Sequence, residues 1–167
     1  VYVGSDDDNL YALNAGTGTL RWKYTAGGNI QSSPVVVNNT VYFGSFDNYL
    51  YAVNASTGVL KWRYKTDYPI TNESPVIGGN TVFISSSPGY PNGNVYGIDT
   101  TTGLLKWKSV NVSIPYGPLY AEGKVFVCSF PDGCSAFDAL TGIKVWNVPG
   151  GISRGNPLYY NGKIYFC

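Results

Sequence analysis

The chain has 167 residues, about one domain's length, with 44% apolar residues, 13% charged residues and a formal charge of +1. That apolar fraction supports a core and excludes a disordered tail, while 11 Lys+Arg against 10 Asp+Glu, with no basic run, excludes a nucleic-acid partner held through phosphates. Histidine is absent, which removes the commonest general base and metal ligand, and no apolar run is long enough for a membrane-spanning helix. Ala and Glu together supply only 10 residues, whereas Gly (21), Tyr (15) and Asn (15) are plentiful, a strand-and-turn composition. With no Met and no charged-then-apolar leader, the start of the gene is expected to lie outside this segment.

In chain order, one strand type returns as Val1-Tyr-Val-Gly4, Val41-Tyr-Phe-Gly44, Val82-Phe-Ile-Ser85, Val125-Phe-Val-Cys128 and Ile164-Tyr-Phe-Cys167, at spacings of 40, 41, 43 and 39. Trp22, Trp62, Trp107 and Trp146 keep nearly the same period. Repeats therefore run over about 1–40, 41–81, 82–124 and 125–163, with a fifth starting at 164. The second unit predicts strands at Pro34–Val37, Val41–Gly44, Tyr49–Asn54 and Val59–Tyr64, joined by hairpin-sized connections at Asn38-Asn39, Phe46–Asn48 and Ala55–Gly58. The third unit is longer, and Ser86–Asn94 reads as an extra loop. Four short antiparallel strands per unit make an all-β chain of β-propeller blades. Strands apolar on both faces, such as Leu50–Val53, suit sheets packed between two neighbours. An ordinary β-sandwich would not explain the retained period.

A second pattern repeats within the units: Ala, any residue, Asn or Asp, two of any, Thr-Gly, three of any, Trp. It occurs at Ala12–Trp22, Ala52–Trp62 and Ala136–Trp146, and at Gly97–Trp107 with Gly for Ala. On these residues the chain resembles the PQQ-like (quinoprotein-type) propeller repeat family, whose tryptophan-docking motif this is. The resemblance implies that Trp22, Trp62, Trp107 and Trp146 dock on a neighbouring blade's Thr-Gly peptide, with Gly18, Gly58, Gly103 and Gly142 turning the chain. It also implies a ring of seven or eight blades, roughly 280–340 residues at this period. Strand counting gives three complete blades and two partial ones, so the chain is expected to be about half of such a ring. Missing blades or a second copy would close it.

Binding is expected on the rim that carries the longer, varied loops, with Phe46, Tyr49, Tyr68, Tyr90, Tyr116, Phe130 and Arg154 as candidate recognition residues and Glu73 and Asp67 as further charges. Asp6-Asp7-Asp8-Asn9 lacks the spacing of a calcium loop and reads as a solvated turn. Cys128 and Cys134 flank a turn on adjacent strands; a disulfide and buried free thiols both remain open, and Cys167 occupies the position of Cys128 in the next unit. Sequons at Asn38, Asn54, Asn72 and Asn111 lend weak support to export.

The family's dehydrogenase branch commonly places its quinone against adjacent cysteines and over a Trp, with Ca²⁺ held by Glu, Asn and Asp. This chain has no Cys-Cys pair, its tryptophans belong to the docking pattern, and Glu73 and Glu122 fit no matching motif. The preferred reading is a non-catalytic, extracytoplasmic scaffold without cofactor or metal in this chain, resembling the outer-membrane assembly scaffold or cell-surface propellers. It would display loops to protein or glycan partners. The alternative is part of a PQQ- and calcium-dependent alcohol or sugar dehydrogenase.

Overall fold

A computed structural model describes residues 1–89, 92–110, 112, 116–129, 133–150 and 156–165. They form strands only. The first sheet joins β1 (Tyr2–Gly4), β2 (Asn9–Leu13) and β3 (Leu20–Thr25), and the second joins β4 (Val35–Val37), β5 (Thr40–Gly44), β6 (Tyr49–Asn54) and β7 (Leu60–Lys65). The third contains β8 (Val76–Gly78), β9 (Thr81–Gly89), β10 (Asn92–Asp99) and β11 (Leu105–Val110). The fourth contains β12 (Leu119–Ala121), β13 (Lys124–Ser129), β14 (Gly133–Asp138) and β15 (Lys144–Val148), and a last pair joins β16 (Leu158–Tyr160) to β17 (Lys163–Tyr165). Every pairing is antiparallel between chain neighbours. The result is an arc of β-propeller, three complete four-stranded blades between two partial ones.

Three apolar clusters fill the spaces between blades. Leu10, Ile30, Val41, Phe43 and Tyr51 lie between the first two blades; Tyr42, Leu50, Ile70, Val82, Ile84, Tyr96 and Ile98 lie between the second and third. Phe83, Val95, Trp107, Val125 and Phe137 lie between the third and fourth. Each inner sheet thus buries both faces, which is why β5 is buried along its whole length and its sequence does not alternate. The outermost strands differ: β3, β7 and β11 cover only alternate positions, beginning with their tryptophans, and of these only Trp107 is buried while the others are half-buried.

The tight hairpins follow turn chemistry. Asn38 and Asn39 both take positive φ (49° and 54°), as do Asn161 and Gly162 (52° and 75°), the geometry that lets a two-residue loop match the strand twist. One expectation is corrected. The third unit's extra residues do not form a loop over 86–94: Asn92 pairs with Gly89 and Asn94 with Ser86, so most of them lengthen the β9–β10 hairpin beyond its neighbours.

Candidate functional site

In each blade, the first-to-second and third-to-fourth strand turns share one face, the tight-turn face. The second-to-third turns and the linkers between blades share the opposite, long-loop rim. The third-to-fourth turns have one construction. The side-chain oxygen of Asn14, Asn54, Asp99 or Asp138 accepts N–H bonds from the residues two and three further on, and the following Gly has φ between 70° and 74°. In blades three and four the Thr hydroxyl also donates to the carboxylate. Backbone and hydroxyl donors hold the Asp99 carboxyl down at about 2, and Asp138 is likewise lowered.

These turns meet the preceding blade's indole. Trp22 donates its Nε1–H to Ala55 O at 3.1 Å, Trp62 to Thr100 O at 3.0 Å and Trp107 to Ala139 O at 2.9 Å. A Cβ at Gly58, Gly103 or Gly142 would come within 2.7, 2.7 and 2.5 Å of Trp22, Trp62 and Trp107, so the rings lie against these peptides. Trp146 packs on Phe126 of its own blade, and no neighbouring atom lies within 4 Å of a Cβ built at Gly18. The Gly97 departure has a local cause: a Cβ there would stand 2.5 Å from Trp107, the most buried of the four indoles.

On the long-loop rim the expected residues occupy separate stations. Phe46 is exposed on the β5–β6 turn, and its N–H donates to Asn29 O in the first linker. Tyr49 opens β6, half-buried, with the Arg63 guanidinium 4.6 Å from its ring centroid. Tyr68 lies in the second linker, and its carbonyl accepts the Thr66 hydroxyl. The Tyr116 N–H donates to Cys128 O at 3.0 Å. Tyr90, Phe130 and Arg154, with Asn111 and Cys167, lie outside the described residues. Cys128 and Cys134 face each other across β13 and β14, fully buried with Cα atoms 4.0 Å apart, and the structure joins them as a disulfide.

Polar groups on this rim tie blades together in ways the sequence reading missed. Asp47 Oδ2 accepts the Gly27 N–H of the preceding linker at 2.8 Å and the Tyr51 hydroxyl. At the next junction Asp67, in the linker, accepts from Asn94, Tyr96 and Lys108, and its own N–H donates to the Tyr96 hydroxyl. The Lys108 ammonium holds Asp67 below the usual carboxylate range, and burial followed by Asp47 pushes Tyr51 upward. Glu73 is 7% exposed, and burial raises it although its carboxylate accepts the Thr71 N–H and hydroxyl at 2.8 and 2.9 Å. In the Asp6–Asn9 turn, Asp7 accepts the Asn9 N–H and the Tyr11 hydroxyl, while Asp6 accepts from Gln31. The signal available in sequence was Tyr11, Tyr51 and Tyr96 recurring one place before the Ala or Gly of the repeat.

The described grooves open on the tight-turn face, not on the rim expected to bind. One of about 470 Å³ lies between blades two and three, lined by Asn38, Thr40, Tyr42, Lys61 and Thr100. Another of about 430 Å³ lies between blades three and four, lined by Asn80, Phe83, Tyr120, Lys124 and Asp138. Lys61 and Lys106 prop these turns, donating to Asn39 O and to Asn80 O at 3.2 and 2.9 Å, and Lys106 also pairs with Asp99 at 3.3 Å. Among the described residues no group of three or more His, Cys, Asp or Glu is placed to hold a metal.

The family model described as outer membrane protein assembly factor BamB, a PQQ-like repeat model, matches residues 1–166. Tetrathionate hydrolase of Acidithiobacillus ferrooxidans is 35% identical over 171 residues, covering 100% of this chain and 30% of that protein. The outer membrane protein assembly factor BamB of Escherichia coli is 35% identical over 177 residues, covering 95% of this chain and 45% of that protein. The chain therefore spans less than half the length of these two relatives. Among solved structures, BamB from Moraxella catarrhalis superposes with a TM-score of 0.83 at 20% identity, over 99% of this chain and 51% of that one. A quinohemoprotein alcohol dehydrogenase from Pseudomonas putida gives 0.77 at 20% identity, over 99% and 36%; at these identities the likeness is one of fold.

Proposed function

The chain belongs to the PQQ-like repeat family described as outer membrane protein assembly factor BamB, and from that premise we propose that it is the wall of a non-catalytic propeller scaffold. The reading places it outside the cytoplasm at the outer membrane, where the long-loop rim receives a protein partner. Glycan remains the second ligand class for the same rim. The repeats at 1–40, 41–81, 82–124 and 125–163 act as one rigid unit completed by further blades.

The observation that carries this reading is the way the blade junctions are filled. Three indoles each cover a Gly and donate to the next blade's carbonyl, and three apolar clusters occupy the spaces between sheets. Side chains that a redox site would need are committed to packing. Cys128 and Cys134 lie buried across one hairpin, six residues apart, and among the described residues no group of three or more His, Cys, Asp or Glu is placed to hold a metal. The described residues therefore do not fit a quinone with its calcium, and no chemical step is derived from one. What remains exposed is a fixed backdrop for loops, the arrangement suited to display.

Photo-crosslinking residues placed at Phe46, Tyr68 and Tyr116 in cells test the reading. A discrete protein adduct from these rim positions, absent from probes on the outer strands, is the expected result. Saturable uptake of pyrroloquinoline quinone with calcium and dye-linked alcohol turnover would replace the scaffold with the dehydrogenase. Hydrolysis of tetrathionate would instead give the chain the activity named for its Acidithiobacillus relative.

A further inference from the structure

Blade four closes its rim end differently from the blades before it. On the two central strands of blades one to three, the cross-strand pairs Gly4–Leu10, Gly44–Leu50 and Ser85–Val95 are equivalent. Each is followed by a tyrosine, Tyr11, Tyr51 or Tyr96, whose hydroxyl donates to a rim carboxylate. In blade four the pair is Cys128–Cys134, joined as a disulfide, and the next residue is Ser135. Ser135 brings no phenol to the rim; its hydroxyl oxygen accepts from Asn147 Nδ2 on β15 at 3.0 Å, within the same blade. A Cβ at Gly4 or Gly44 would collide with Ile30 or Ile70 of the following linker, so the first two blades have no room for a bridge at this position.

The bonded strand holds a rim residue directly. Cys128 O accepts the Tyr116 N–H at 3.0 Å, and Tyr116 stands half-buried in the linker between blades three and four. From blade three, the Ser85 hydroxyl donates to Tyr116 O at 3.5 Å. The cysteines are only six residues apart, and the flanking pairs Val127–Ser135 and Ser129–Gly133 are already in register. A cross-link over so short a loop removes little entropy from the unfolded chain, so its effect on the local hairpin outweighs its effect on overall stability. Both cysteines are fully buried, and as thiols they would pack as small apolar groups, which leaves the blade folded in either redox state.

We propose that Cys128–Cys134 is a redox latch that fixes Tyr116 at the rim, serving blade four as the tyrosine–carboxylate contacts serve blades one to three. A dithiol reductant opens it. One reductant thiolate attacks a cysteine sulfur and the other cysteine leaves as a thiolate. The second reductant thiol then resolves the mixed disulfide, so the reductant departs as a disulfide and both cysteines end protonated. Two electrons and two protons thus pass from reductant to chain. Because both sulfurs are buried, attack waits on opening of the β13–β14 hairpin. Once reduced, the hairpin holds Tyr116 less firmly, and a partner gripping the rim there binds the oxidised chain better, because less ordering remains to be done on binding. That last consequence rests on the rim reading given under the proposed function.

Hydrogen exchange read by mass spectrometry tests the latch on the full chain carrying Cys167→Ser, oxidised and after dithiothreitol, with reduction verified by thiol titration under denaturing conditions. Reduction should speed exchange at Tyr116 and over 125–129 and 133–136 by about tenfold or more, and leave 41–45 and 49–53 in blade two unchanged. Cys128→Ser/Cys134→Ser should exchange like the reduced chain and ignore dithiothreitol; if that variant does not fold, the parent's response to the reductant decides. Unchanged exchange in blade four overturns the proposal and makes the bond inert packing. Equal acceleration in every blade also overturns it and makes the bond a general staple. A photo-crosslinker at Tyr116 should lose its protein adduct on reduction while one at Phe46 keeps it, and retention at both overturns the control of binding. No adduct at either position in either state would remove the rim partner instead, and the exchange contrast would still decide the latch.

Discussion

The junction between blades one and two and the junction between blades two and three share one contact supplied by different parts of the chain. At the first, the carboxylate comes from the second blade's hairpin: Asp47 takes the Tyr51 hydroxyl and the Gly27 N–H of the linker. At the second, it comes from the linker, where Asp67 takes the Tyr96 hydroxyl, and the hairpin carries Asn92 in place of an acid. Gly27 and Asp67 occupy the same step of their linkers, one residue after Ala26 and Thr66, whose N–H groups donate to Asp8 O and Asn48 O. What is held constant is an acid beside a buried tyrosine hydroxyl and an outer-strand cation, Arg63 or Lys108, not the residue position that supplies it. A buried hydroxyl needs a partner, and either segment can bring one.

The largest effects should come from the element that the two junctions share. Trp22→Ala and Trp62→Ala should each cost about 3–5 kcal/mol in chemical denaturation, since each removes a large packed ring and its N–H bond. Equal losses would show that the acid's origin leaves the clasp untouched. A loss under about 1 kcal/mol at either position would remove the tryptophans from the clasp role.

That shared element was legible in the sequence because it repeats in register. Trp22, Trp62 and Trp107 recur with a Thr-Gly at fixed distance, and the fold follows from the period. The carboxylate contact was only half legible: its tyrosine recurs at 11, 51 and 96, but its acid moves from the hairpin, Asp7 and Asp47, to the linker, Asp67, and so breaks the period. The length of the β9–β10 hairpin was misread as a loop because Ser, Pro and Gly signal turns even where cross-strand pairing continues. Loop length points to the rim, whereas the grooves on the opposite face arise from packing between blades and leave no mark in loop length.

An exchange between the junctions gives an intermediate effect. Gly27→Asp alone should destabilise by about 2 kcal/mol, because a Cβ there meets Asp47 Oδ2 at 2.8 Å and a second carboxylate adds like-charge repulsion. Gly27→Asp with Asp47→Asn moves the acid from hairpin to linker, as in the second junction, and should recover about 1 kcal/mol or more as a coupling in the double-mutant cycle. Strict additivity of the two changes would mean that the acid's position is not exchangeable and that the likeness of the junctions is superficial.

The smallest effect concerns the linkers themselves. Two residues before the linker proline, the first linker buries Ser32, a neutral group bonded to Gly44, and the second buries Glu73. Burial raises Glu73 above its ordinary value, so the folded chain holds that proton more tightly than the unfolded chain does. Stability is therefore lost as pH rises through the interval from the unfolded value, about 4.3, to the raised folded value, and the loss persists at neutral pH. Asp99 has the opposite sign: lowered to about 2, it adds stability above about 3.9 that disappears as pH falls toward its folded value. Glu73→Gln keeps an acceptor for the Thr71 N–H and removes the buried charge. Its melting temperature should exceed the parent's at pH 7 by about 2 °C, and the gap should close below about pH 4. A gap that stayed constant through that range would assign the gain to packing, and Glu73 would then be no more costly to the second linker than Ser32 is to the first.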